Sequence, residues 1–547
     1  MSLRSTLDED RWVRILLLLL TAGALVPIWA APIPPLQDLP NHLLKVDIFE
    51  RWMRGEDGVR QVYSLNLGPL ANYTCYVVLL ALAPFVSLIT AARILLSIIV
   101  AGLPWAAYAF LRRVHPEGSL FALAVPAMNF SLFLMMGNLN FCLGLALWLA
   151  ALTVFVSRGT SQPPVAMAGA RTDWGFALLA TALYFTHGFV FLILIGVVAG
   201  LLMEDFTAAR LRRACGLVPG ILLLGANIAL NLGSGKQAAG AFRPDLEPPR
   251  LDSIRVAVVW LLNPHGWGFD TYLGLAWLAV IVLCTLSTLV GILGQWRAGV
   301  RFLVLLRENV WLAMALLLAV AYFVAPAQLR DWFHLRMRFS PLAALALLGA
   351  LRAPRRKTAR AAVTVVLVLA AIGIEARNTL EFVGRGAQVQ EYLSGVDAVE
   401  EGASILALEN LEEGPKYRDN LYSWAYYVIA RGGWGPYLHV QPSYNPIIYE
   451  VTPWAPREGR PPGEESEVRR IAACYDYLLF WDPRPGDSAA LQPYFEIIRT
   501  TSRLLVFRNL AGVLRSTPAT NPACRLDPST RPQSADTPPQ VSTAKTR

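Results

Sequence analysis

RWVRILLLLLTAGALVPIWAAPIPPLQDLPNH, residues 11–42, frames the reading of the whole chain. Its apolar centre, residues 15–31, approaches the roughly 20 residues a helix needs to cross ~30 Å of hydrocarbon. Arg11 and Arg14 precede it, which places that end in the cytoplasm, because inside loops collect basic residues. The run lacks a clean A-x-A cleavage site, so it reads as a retained helix rather than a signal peptide. It empties on the far side into a proline-rich passage, Pro32-Ile-Pro-Pro35, and then into Gln37-Asp-Leu-Pro-Asn-His42.

The same reading extends along most of the chain. Of 547 residues, 55% are hydrophobic and 16% charged, and the mean hydropathy is +0.44. Long apolar runs recur to about residue 376, and lipid offers backbone N–H and C=O groups no partners, so these runs must be helices. With the N-terminus inside, spans fall near 12–31, 90–111, 119–137, 140–157, 173–185, 187–203, 214–232, 270–294, 308–326, 333–351 and 359–376. Every inside turn is then basic, from Arg112 and Arg113 through Arg210, Arg212 and Arg213 to Arg352, Arg355, Arg356, Lys357 and Arg360. Residues 70–89 are apolar enough to span, but counting them would put Arg112 and Arg113 outside. They read as a re-entrant or interfacial helix protected by protein. If 173–185 and 187–203 form one tilted helix instead of two, everything downstream inverts.

The expected fold is therefore an all-α polytopic membrane domain of about eleven helices over residues 1–379, with outside loops at 32–89 and 233–269. After residue 380 the composition becomes that of a water-exposed protein. Strands are expected at 404–408, 477–481 and 504–508, and helices at 391–400 and 464–474. That mixture makes a small α/β domain over 380–514, on the periplasmic side. Residues 515–547, rich in Pro, Ser and Thr, read as a disordered tail.

The net charge of +9 does not point to nucleic acid, because the arginines cluster in short turns between apolar runs. Six cysteines show no metal-ligand spacing. Cys75, Cys142, Cys215 and Cys284 fall in or beside apolar segments as small filler, and Cys474 and Cys524 form a disulfide if their domain faces an oxidising compartment. The chain carries no Walker sequence, dinucleotide fingerprint or nucleophile elbow.

The first outside loop holds the most informative residues. Pro40 suits a first helical turn, and 41–53 has helical periodicity. Leu43, Leu44, Val46, Phe49 and Met53 form an apolar face expected in the membrane interface, with Lys45, Glu50, Arg51 and Arg54 toward headgroups. Asp38 sits just before this helix and His42 one turn later, so both face one side. A carboxylate there can take a proton from an incoming hydroxyl or amine. The alternative is that Asp38 only caps the helix.

A long loop after the first span, opening on an Asp backed by an amphipathic helix, resembles the GT-C membrane glycosyltransferases, which include protein O-mannosyltransferases and aminoarabinose transferases. The resemblance covers residues 10–376 in arrangement and carries a short motif. It implies an inverting transferase that takes a sugar from a polyprenyl-phosphate carrier outside the cytoplasm, with Asp38 as the base. Many members place a second acidic residue close behind the first; here the next is Asp47. Asp38-Leu-Pro-Asn-His42 also resembles bacterial membrane proteins whose spans are followed by an outside C-terminal domain.

Three further places bear on the same chemistry. His187, in Tyr184-Phe-Thr-His-Gly188, lies in an outside turn and stands where related transferases bring a basic residue to the lipid phosphate; otherwise it is a turn histidine bonded to backbone. Arg330-Asp-Trp-Phe-His-Leu-Arg-Met-Arg-Phe339 opens a late span. There Arg336, ahead of Arg338, is the first choice for phosphate capture, since a guanidinium fork matches paired oxygens. The alternative is snorkelling to the interface. In the second outside loop His265, Asp270, Asp245 and Glu247 offer oxygen and nitrogen ligands to a divalent cation, without distinctive spacing, and no metal or other cofactor is assigned. The aromatic residues Tyr422, Trp424, Tyr426, Tyr427, Trp434 and Tyr437 serve either the C-terminal core or a sugar acceptor. The expected function is transfer of a carrier-linked sugar to a glycan, lipid or protein acceptor at the inner membrane. The rivals are a transporter or flippase for a lipid-linked or anionic solute and a non-catalytic envelope assembly subunit.

Overall fold

Where apolar runs are long and unbroken, the chain forms long helices. The computed structural model describes residues 3–156, 166–233, 252–262, 269–326, 334–409, 420–438, 445–456, 460–514 and 517–526. The first helix, α1 (Leu3–Ala30), ends where Pro32 and Pro34 prevent its continuation. Arg93 fastens this exit by donating to the Ala31 and Pro32 carbonyls at 2.7 and 2.8 Å. The first loop then builds α2 (Leu39–Met53), α3 (Asp57–Val62), β1 (Tyr63–Leu65) and α4 (Thr74–Leu82). At nine residues α4 is too short to cross a bilayer, which suits the re-entrant reading of 70–89.

The bundle continues with α5 (Leu88–Val114), α6 (Leu132–Met135), α7 (Leu139–Val156), α8 (Ala166–Thr186), α9 (Gly188–Glu204), α10 (Ala208–Ala214) and α11 (Val218–Gly233). It closes with α12 (Asp252–Leu262), α13 (Phe269–Arg297), α14 (Phe302–Glu308), α15 (Val310–Val324), α16 (Phe339–Ala350) and α17 (Lys357–Tyr392). Among the described residues seven helical stretches are long and apolar enough to cross a membrane, and α9 and α15 are apolar but shorter.

Two parts of the bundle depart from expectation. Residues 119–137 are not one α-helix. They form 3-10 turns at Pro116–Ala124 and Pro126–Met128 and then the single turn of α6. Pro126 removes an N–H in mid-segment, and the irregular backbone survives at depth because the stretch is wholly buried in protein. Trp277 Nε1 satisfies one freed carbonyl, at Ala124, from 3.0 Å. The second departure is α12, within the expected outside loop 233–269. It turns back into the bundle, where Trp260 is buried against the rings of Phe133 and His334.

The C-terminal domain contains the expected α/β mixture. It comprises β2 (Ile405–Glu409), α18 (Trp424–Arg431), β3 (Ile447–Tyr449), α19 (Glu465–Cys474), β4 (Tyr477–Trp481), β5 (Phe495–Thr500) and β6 (Leu504–Asn509). One mixed sheet has the order β2-β4-β6-β5, with β2 parallel to β4 and the other neighbours antiparallel. The buried β4, Tyr477-Leu-Leu-Phe-Trp481, is its centre. The helix expected at 391–400 is instead the end of α17 and a 3-10 segment, Leu393–Ala398, so the last long membrane helix runs unbroken into the domain.

Residues 517–526 also correct an expectation. They do not behave as a disordered tail but pack on α19, held by a Cys474–Cys524 disulfide and by Arg470 donating to the carbonyls of Ala523 and Arg525. The remainder of the expected tail, 527–547, lies outside the described residues.

A second sheet, β1 paired antiparallel with β3, stitches the first loop to this domain. The helix α2 is consequently buried rather than interfacial. Leu43 and Val46 join the bundle core, while Leu44 and Ile48 join the core of the C-terminal domain. Lys45, expected to face headgroups, is 3% exposed, because protein covers both of these faces of the helix.

Candidate active site

The site grows from the junction of the first loop with the start of α7. Gln37 and Asp38 donate their backbone N–H groups to the Met135 and Met136 carbonyls at 3.1 and 3.2 Å. Gly137 makes this approach feasible. Its φ of +85° is left-handed, and a Cβ there would lie 2.9 Å from both the Cβ and the backbone nitrogen of Asp38.

Asp38 occupies the position before α2, yet its side chain makes no capping hydrogen bond. Pro40 removes one of the two N–H groups that a cap normally reaches. The half-buried carboxylate instead accepts from Gln37 Nε2 at 3.3 Å. Burial pushes its pKa up from 3.8 to about 7, against the opposing pull of the Gln37 hydrogen bond and the Lys45 charge. Burial likewise lowers Lys45 to about 7, opposed by Asp38.

Helical periodicity explains the grouping. At about 100° per residue, positions 38, 42 and 45 fall on one face, and position 47 falls about half a turn away. His42 Nδ1 lies 2.8 Å from the Tyr76 hydroxyl of α4, and Nε2 lies 3.1 Å from the Gly137 carbonyl. Lys45 Nζ donates to Tyr76 at 3.5 Å and to Asn445 Oδ1 of the C-terminal domain at 2.8 Å. Asp47, on the other face, pairs with Arg51, which also holds Glu56.

A second cluster lies on the next turn of the same segment. His187 heads α9 and is buried, with Nε2 2.6 Å from Arg338 Nη1, and its ring meets Phe141 edge-on. The Arg338 guanidinium also sits over the Phe141 ring, 5.3 Å from its centre. Gly137, which touches Asp38, and Phe141, which touches His187 and Arg338, are about one helical turn, or ~6 Å, apart along the chain. Asn140 between them fixes α7 to the loop, accepting from the Cys75 N–H at 3.0 Å and donating to the Asn72 carbonyl at 2.9 Å.

The structure thus gathers Asp38, His42, His187 and Arg338 around residues 136–142. Arg336 is placed differently. Arg336 and Arg338 form a 3-10 turn ahead of α16 rather than lying within a spanning helix. Arg336 is buried and its Nε donates to the Ala325 carbonyl at 3.0 Å. Neither guanidinium snorkels outward. His265, Asp245 and Glu247 lie outside the described residues, as does the side chain of Asp270.

Two members of the site, Lys45 and Asn445, were not singled out from the sequence. The signal for Lys45 was present, since it lies seven residues after Asp38 and three after His42 on one helical face. Asn445 carried none, being brought in by the pairing of strands β1 and β3 from opposite ends of the chain.

No family model matches this chain, and no curated protein matches it in sequence. Solved structures share its fold, among them two of one protein. Crystal structures of ArnT from Cupriavidus metallidurans, bound to undecaprenyl phosphate and in the apo state, align with TM-scores of 0.55 and 0.56. Each covers 92% of this chain, and 98% and 99% of ArnT respectively, at 12% identity. The architecture expected from the Asp38 loop is met at the level of the fold: over nearly its whole length, this chain is similar to ArnT.

Proposed function

We propose that this chain is an inverting membrane glycosyltransferase. It moves a sugar from a polyprenyl-phosphate carrier to a glycan, lipid or protein acceptor on the periplasmic side of the inner membrane. The protein crosses the bilayer about eleven times, with its N-terminus in the cytoplasm and its C-terminal domain outside. The observation that carries this reading is a half-buried carboxylate, Asp38, tuned to about 7 and set against the same short segment as the Arg338–His187 pair. The fold supports it, since ArnT has been crystallised with undecaprenyl phosphate bound.

The chemistry follows from these placements. Asp38 takes the proton from the acceptor hydroxyl or amine as that atom attacks the anomeric carbon. The bond from that carbon to the carrier phosphate oxygen breaks, and the electron pair leaves with the phosphate. Charge develops on that oxygen, where Arg338, with His187 beside it, stabilises the departing group. A base with a pKa near the working pH combines a useful ionised fraction with real proton affinity. His42 and Lys45 keep the acceptor side of the site polar.

The test is turnover in proteoliposomes with radiolabelled polyprenyl-phosphate sugars and an added acceptor. The wild-type chain is expected to release free carrier phosphate and labelled product, and Asp38→Asn to lose at least ~1000-fold. Carrier release by Asp38→Asn at the wild-type rate would falsify the base assignment. Solute uptake without breakage of the sugar–phosphate bond would replace transfer with transport.

A further inference from the structure

Asn445 is some four hundred residues from Asp38 in sequence and closes the same site. It stands just ahead of β3, where Leu65 pairs with Ile447 and Tyr63 with Tyr449. Asn66 extends this contact, its backbone N–H donating to the Pro446 carbonyl at 2.8 Å and its side-chain amide to the Asn445 carbonyl at 3.1 Å. The backbone of Asn445 is therefore held by the first loop. Its side chain is buried, and Oδ1 receives the Lys45 ammonium at 2.8 Å. Its Nδ2 has no hydrogen-bond partner among the described residues, so the side chain serves as an acceptor only.

A lysine carries a point charge on a flexible four-carbon stem, and where that charge stands depends on what receives it. Lys45 is received at one place by Asn445 and Tyr76, and Tyr76 is shared with His42. Resting on the transferase reading above, we propose that Asn445 is a positioning residue: its side-chain oxygen fixes the Lys45 ammonium beside the Asp38–His42–Tyr76 cluster. The C-terminal domain then supplies part of the electrostatics of the active site, rather than only a surface beside it.

The sign of the effect follows. With a pKa of about 7, Lys45 still carries charge on the acid limb of the rate profile, where Asp38 titrates. That charge favours ionised Asp38, so displacing it raises the carboxylate pKa further and moves the limb to higher pH. The other polar or charged groups around this cluster are Gln37 before α2, His42 on α2 and Tyr76 on α4. Arg338 and His187 stand beyond residues 136–142.

The experiment compares full-length wild type, Asn445→Ala, Lys45→Met, the double variant and Asn445→Asp across pH in the proteoliposome assay. Asn445→Ala and Lys45→Met are each expected to lower kcat about tenfold, with KM for the carrier within about twofold, and both shift the acidic limb upward. The double variant is expected to be no worse than Lys45→Met, because Asn445 acts through that side chain. Asn445→Asp keeps the acceptor oxygen and gives up no hydrogen bond, but its carboxylate offsets the Lys45 charge, so its acidic limb also moves upward while activity above that limb stays within about threefold of wild type. Additive losses in the double variant, an unmoved limb in Asn445→Ala, or a loss in Asn445→Asp as deep as in Asn445→Ala would each overturn the proposal. Full turnover by Asp38→Asn sinks the base assignment and this proposal together. An inactive Asp38→Asn beside an unshifted Asn445→Ala sinks this proposal alone.

Discussion

Keeping a carboxylate charged in a half-buried place costs free energy, and Asp38 shows that cost as a pKa raised to about 7. The consequence for rate has a definite sign. Above that value the base form dominates; below it the carboxyl is protonated and cannot accept the acceptor's proton, so kcat/KM should fall about tenfold per pH unit on the acid side. A profile flat from pH 5 to 8 would remove Asp38 from that role. Arg338 and Arg336 separate by their partners. Arg338 meets His187 and the Phe141 ring, whereas Arg336 Nε is engaged by a backbone carbonyl. Arg338→Ala should weaken binding of polyprenyl phosphate by ~1.5–3 kcal/mol, or about 10–150-fold, as read by native mass spectrometry or direct titration. Arg338→Lys should recover only part, since a point charge replaces a fork. Arg336→Ala should instead appear chiefly as a lower yield of folded protein, because it leaves the Ala325 carbonyl without that donor. At this scale the candidate list read from sequence was uneven. Residue type singled out Asp38, His42, His187 and both arginines and put Arg336 ahead of Arg338, whereas the fold sets Arg338 beside His187. The two arginines are two residues apart in one tight turn, and only the fold decides which reaches His187.

The decisive local element is the turn that lets two backbones touch. Gly137 is held at φ +85°, and Asp38 packs where its side chain would be. Gly137→Ala adds about 1–2 kcal/mol for the left-handed backbone alone, and the new Cβ must push Asp38 away from the segment it shares with Arg338. The expected outcome is a protein that still folds, melts a few degrees lower and loses about 100-fold in kcat, because small misplacement of a reacting group is costly. Wild-type kcat in a folded Gly137→Ala protein would show that the approach is incidental. The same element explains what the sequence concealed. Residues 119–137 read as one α-helical span, and hydropathy, which reports apolarity and length, cannot tell a regular α-helix from 3-10 turns sheathed in protein. For α2 the periodicity was legible and its meaning was not. An apolar face backed by Lys45 and Arg51 fits a membrane interface as well as it fits a helix wedged between two cores, and only the partner surfaces distinguish them.

On the scale of the whole molecule, strands β1 and β3 join the first loop to a domain that follows the last long membrane helix, so both must lie on the same side of the membrane. Sequence made the two halves legible, as an apolar bundle and a charged α/β end. It could not reveal their union, because three-residue strands at 63–65 and 447–449 leave no pattern that stands out from loop. That union makes the side of the membrane a testable property of the whole fold. Arg60→Cys and Glu400→Cys, both at exposed positions, should react with a membrane-impermeant maleimide in intact spheroplasts, and Arg113→Cys should react only after lysis. The Cys474–Cys524 bond gives an independent reading of the same question, since a disulfide persists in the periplasm and is reduced in the cytosol. It closes a loop across a sequence separation of 50, tying the 517–526 segment to α19. Replacing Cys524 by Ser should therefore cost the C-terminal domain about 2–5 kcal/mol, seen as a lower thermal midpoint. Alkylation of the native protein before reduction should leave both sulfurs unmodified in material isolated from cells. Free thiols at both positions, together with protected Arg60→Cys and Glu400→Cys labels, would place the domain in the cytoplasm. The acceptor side of the site would then face the cytoplasm as well, and the periplasmic reaction proposed above would fail on location, whatever Asp38 does.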